Sequence, residues 1–139
     1  MSEGLVDRGG ETTVATRPAF LPSTTSAAAA AGAELVRRSA EQADAAAAEC
    51  WAALLGGCDS PGRRLLPARL RELADTTAIY AGTAWWYGDG SRLRVRITQA
   101  RERIEEAIHE RDGQDFAEAF IGYDEAVATA IVRVGSMIK

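Results

Sequence analysis

The sequence predicts an all-α protein, an antiparallel four-helix bundle behind an N-terminal tail, and three observations predict it. Apolar residues recur at alternating steps of four and three, as in Leu93, Ile97, Ala100, Ile104 and Ala107, the spacing of one helix face. Glycine-containing breaks at Gly56-Gly57, Gly88-Asp89-Gly90 and Asp112-Gly113 separate the periodic stretches and mark turns. The links at 88–90 and 112–113 are short enough to send neighbouring helices in opposite directions.

Residues 1–25 hold Gly9-Gly10, Pro18, Pro22 and Ser23-Thr24-Thr25. This is turn-forming, polar material with no face to bury, and it reads as a flexible tail. A single domain of residues 26–139 follows. Ser26 or a neighbouring hydroxyl can cap a first helix over about 26–55, whose seam is Val36, Ala40, Ala43, Ala47, Cys50 and Leu54. Small seam residues bury little area, so this helix gains least from packing. Pro67 suits the first turn of a second helix over about 67–87, carried by Leu66, Leu70, Leu73, Thr77, Tyr80, Ala84 and Tyr87.

A third helix is expected over about 91–111. Its rival is a β-hairpin across residues 85–97, because Leu93 to Ile97 alternates apolar and basic and Asp89-Gly90 is a hairpin dipeptide. Unbroken helical spacing to Ala107 favours the helix, and an isolated hairpin is marginal. The fourth helix, about 113–138, has Asp112 as a cap and Asp115 and Glu118 at the positive end of its dipole. Its stripe is Phe116, Phe120, Tyr123, Val127, Ala130, Val134 and Met137.

The chain has 139 residues, 47% of them hydrophobic, and a net charge of -4. That composition excludes a disordered or generally polycationic chain. The charge is unevenly spread, -4 over residues 1–59, +5 over 60–103 and -5 over 104–139. Fifteen of the sixteen basic residues are arginine, which with the many alanines suggests GC-rich, actinobacterial-like coding. Cys50 and Cys58 match no zinc or redox spacing and are expected as free thiols. With no basic-apolar leader and no run of ~20 apolar residues, a cytoplasmic protein without membrane contact is expected.

No catalytic, metal or cofactor motif is expected to operate. Glu106 and His109 form a Glu-x-x-His pair, as in di-iron bundles, but His109 is the only histidine and both fall off the apolar seam. The carboxylates from Glu102 to Glu125 lack the paired spacing on a facing helix that magnesium chemistry needs. Phosphate loops, dinucleotide fingerprints and nucleophile elbows are missing. A non-enzymatic protein acting through protein–protein contact, by self-association or as a small adaptor, is the first expectation. Its candidate contact residues are Trp85, Trp86, Arg92, Arg94 and Arg96, since Trp and Arg dominate binding hot spots. The second reading is a nucleic-acid-binding accessory protein in which the Arg/Trp region 85–103 tracks phosphates and stacks bases.

Trp86-Tyr87-Gly88 falls where the turn between helices two and three is placed. It resembles the Trp-x-Gly turn of the small helical-hairpin proteins exported by type VII secretion in actinobacteria and their relatives. The resemblance covers these three residues and about forty of helical context. It implies a secreted or partner-bound helical dimer, with Trp86 and Gly88 as turn and contact residues. The chain departs from that family's tyrosine followed four residues later by an acid. Tyr80, Tyr87 and Tyr123 are followed there by Ala84, Ser91 and Val127, which puts the export signal in doubt.

Overall fold

Two of the four expected helices are each broken in two. The structure, a computed structural model, describes residues 18–138, and six helices with no strand make up those residues. They are α1 (Pro22–Ala31), α2 (Glu34–Gly56), α3 (Pro61–Ala81), α4 (Thr83–Tyr87), α5 (Ser91–Glu110) and α6 (Gly113–Ile138). The all-helical class holds, and the hairpin rival at residues 85–97 does not, because that span is helix, turn and helix.

The first correction concerns the expected helix 26–55. Gly32 takes a left-handed conformation (φ 69°) and ends α1; the Ala33 N–H reaches back to the Ala28 carbonyl at 2.9 Å, the bonding of a glycine-terminated helix. The chain then restarts as α2. All six expected seam residues of α2, from Val36 to Leu54, are buried.

The second correction concerns the tail. Residues 1–17 of the expected tail lie outside the described residues, but 20–25 belong to the fold. Phe20 and Leu21 are buried, and the Phe20 ring lies 5.3 to 5.9 Å from those of Trp51, Phe116 and Phe120. Nor does Ser26 cap α1. The helix begins four residues earlier, and its free N–H groups find carboxylates on distant helices. Ser23 and Thr24 donate to the two oxygens of buried Asp124 on α6 at 3.1 and 2.8 Å. Phe20 and Leu21 donate to Asp44 on α2 at 2.7 and 2.9 Å.

The third correction moves the start of the second expected helix from 67 to 61. Ser60 is the cap, accepting from the Arg63 N–H at 3.1 Å, and Pro61 fills the first turn. Pro67 instead lies inside α3, where its missing N–H removes one helical bond. This helix stops at Ala81, so the expected seam ends early; Leu66, Leu70, Leu73 and Thr77 are buried, whereas Ala84 and Tyr87 on α4 are exposed.

Helices α5 and α6 follow the expected bounds closely. Arg111, in the left-handed region at φ 58°, closes α5, and the Asp112 carboxylate accepts the Asp115 N–H at 3.0 Å. Every residue of the α5–α6 stripe is buried except Ala100, which is partly covered, and Met137, which is exposed. Helix α2 packs along α3 and α5 along α6, while α1 lies chiefly on α6. One core joins them, tied across by the buried Tyr123 hydroxyl, which donates to the Leu70 carbonyl at 2.9 Å.

Candidate protein-contact face on α5

Helix α4 and the turn at 88–90 form the end of the molecule from which α5 departs. The Trp85 carbonyl accepts from the Gly88 and Gly90 N–H groups at 3.1 and 2.7 Å. Gly90 is required here by close approach, because a Cβ on it would stand 2.4 Å from the Trp85 ring. Trp85 and Trp86 are only 9% and 5% exposed. Both therefore close the end of the core, and neither offers the exposed hot spot expected of it.

The three candidate arginines divide between two roles. Arg94 is half-buried and folds back onto the turn, donating from Nε to the Trp86 carbonyl at 3.3 Å and lying 4.8 Å from the centre of the Tyr87 ring. Such a stacked guanidinium holds the turn in place. Arg92 and Arg96 are exposed on successive turns of α5, and neither side chain has a hydrogen-bond or ion-pair partner among the described residues.

The outward face of α5 continues from these arginines through Val95, Gln99, Glu102, Arg103 and Glu106, all exposed. Arg103 is held within the chain by Asp115 at 2.6 Å and Glu118 at 3.4 Å on α6. Its hydrogen bond to Asp115 raises the guanidinium's pKa further. Glu105 is engaged by Arg101 at 3.2 Å and by Arg71 of α3 at 3.8 Å. The acidic start of α6 thus neutralises only Arg103 among the arginines of α5. From Arg92 to Glu106 the helix climbs about 21 Å, so the arginine end is out of reach of those carboxylates.

Sequence reasoning missed Tyr87, 65% exposed, and Val95, 43% exposed, as open apolar surface; Val95 shares the face of Arg92 and Arg96, and Tyr87 stacks on Arg94. That reasoning placed Tyr87 in a buried seam, and the break at Gly82 turns that seam away. The Glu106 and His109 side chains both face solvent. No three His, Cys, Asp or Glu side chains come together to hold a metal among the described residues. The larger surface grooves are shallow; one of ≈ 390 Å³ is lined by Ala27, Ala31, Tyr80, Ile131 and Val132. No helix among the described residues is long and apolar enough to cross a membrane.

Trp86-Tyr87-Gly88 does sit at a turn between helices, though with Trp86 facing inward. No known protein family, curated protein or solved structure matches the chain.

Proposed function

We propose that this chain is a non-enzymatic, cytoplasmic helical protein that acts through protein–protein contact, its four long helices serving as an antiparallel bundle that presents the outer face of α5. The observation that carries this reading is the set of charges left without partners on that face. Arg92 and Arg96 stand exposed on the same face of α5 as Val95, a mixture of open charge and apolar surface suited to a protein partner. A nucleic acid fits less well. The tryptophans that would stack on bases are buried, and Glu102 and Glu106 share the face with the arginines.

Replacing Val95 with a photo-cross-linking amino acid in the full chain, followed by irradiation in cells, tests this. Protein adducts at that position are expected. Adducts to nucleic acid alone would overturn the reading.

A further inference from the structure

Four of the five unpartnered acidic and arginine side chains of α5 are arranged in an order that reads in reverse with opposite sign. Reflecting the helix about Gln99 carries Arg92 onto Glu106 and Arg96 onto Glu102. These four side chains are exposed and have no hydrogen-bond or ion-pair partner among the described residues, whereas Arg101, Arg103 and Glu105 in between are all engaged within the chain. Glu110, also exposed and without a partner among the described residues, falls opposite Gly88 in the reflection and stands outside the pairing.

Resting on the protein-contact reading, we infer that the occupant of this face is a second copy of the same chain, its α5 lying antiparallel against the first across a two-fold axis at Gln99. In that register Arg92 faces the second copy's Glu106, Arg96 faces the second copy's Glu102, and each contact occurs twice, as a two-fold interface requires. The stems of Arg103 and Val95 meet between them. Gln99 meets its own copy at the axis, where two amides can bond to each other.

The charge pattern of α5 is unfavourable within one chain. Arg92 and Arg96 lie one turn apart near the start of the helix, and Glu102 and Glu106 one turn apart toward its end. Like charges at this spacing repel, and Arg92, in the first turn, also opposes the helix dipole. An antiparallel copy sets carboxylates beside the arginines and arginines beside the carboxylates, relieving both conflicts together. An acidic partner of another kind satisfies one half of the face and repels the other.

Two double variants test the register in the full chain by sedimentation velocity at low salt. Arg92→Glu with Arg96→Glu makes all four pairing positions acidic, and Glu102→Arg with Glu106→Arg makes all four basic. Each alone is expected to dimerise at least tenfold more weakly than the wild type, while their equimolar mixture forms a heterodimer at least as tight as the wild-type dimer. Misfolded variants cannot produce that rescue. In a Cys58→Ser background, Gln99→Cys should give a reducible covalent dimer on mild oxidation. A wild type that stays monomeric throughout, a mixture that stays monomeric, or double variants that self-associate like the wild type would overturn the two-fold pairing. Cross-linking from position 95 to a different protein would overturn it too, while leaving the protein-contact reading standing.

Discussion

Burial separates the two cysteines chemically. Cys58 is exposed and Cys50 is buried in the seam of α2, where loss of solvent pushes its thiol up to about 11. In the unfolded chain the thiol ionises at its ordinary value near 8.5. Between those values the folded chain holds a proton that the unfolded chain has released. The Cys50 contribution to stability is therefore constant below about pH 8.5 and declines as pH rises toward 11, by about 3 kcal/mol. Burial also raises the pKa of Tyr123, with the same sign at higher pH. Thermal melts at pH 8 and 10.5 check this. The wild type is expected to lose more stability over that interval than Cys50→Ala, and equal losses would contradict it. Individual buried positions were legible in the sequence because the seams of α2, α5 and α6 follow one period. The tryptophans were not, since an aromatic at a turn can face either way, and the close contact of Trp85 with Gly90 decides it.

Among the elements, α1 is the one that local sequence signals conceal. It contributes Thr24 and Ala28 as its buried residues, so it has no apolar stripe to notice. Its caps come from Asp124 and Asp44, which no nearby motif announces. The rule that places proline in a first turn was sound, and the ambiguity lay in having two prolines, Pro61 and Pro67, six residues apart. Ser60 resolves it. If carboxylate capping holds α1 to α6, Asp124→Ala leaves the Ser23 and Thr24 N–H groups without acceptors in a partly or fully buried place. A loss of about 2–3 kcal/mol is expected. Hydrogen exchange should then accelerate over residues 20–31 while the core of the α5–α6 hairpin keeps its protection. Uniform acceleration along the chain would show that α1 is not a separable unit.

For the molecule as a whole, the uneven charge legible in the sequence is sorted by the fold into satisfied and unsatisfied parts. Ion pairs such as Arg103–Asp115 and Arg69–Glu72 lie at the surface, and each such pair is worth only ~0–1 kcal/mol. Raising salt should therefore leave the melting temperature of the monomer within about 2 °C, while sharply weakening any association through α5. A large shift in monomer melting would assign the charges to folding instead. The charge step was readable from the order of charges along the sequence. The division between paired and unpaired arginines was not, because it depends on how far up α5 the acidic start of α6 can reach.

The carboxylate of Asp124 also fixes an order of events. Thr24 and Asp124 stand 100 positions apart in the chain, so the residues of α1 are made long before the group that caps them. At about 5–20 residues per second, α1 waits roughly 5–20 s on the ribosome for its acceptor. During that interval Phe20 also lacks Phe116 and Phe120. The earliest-made of the described helices is therefore among the last to be secured, and the α2–α3 hairpin must hold together without it.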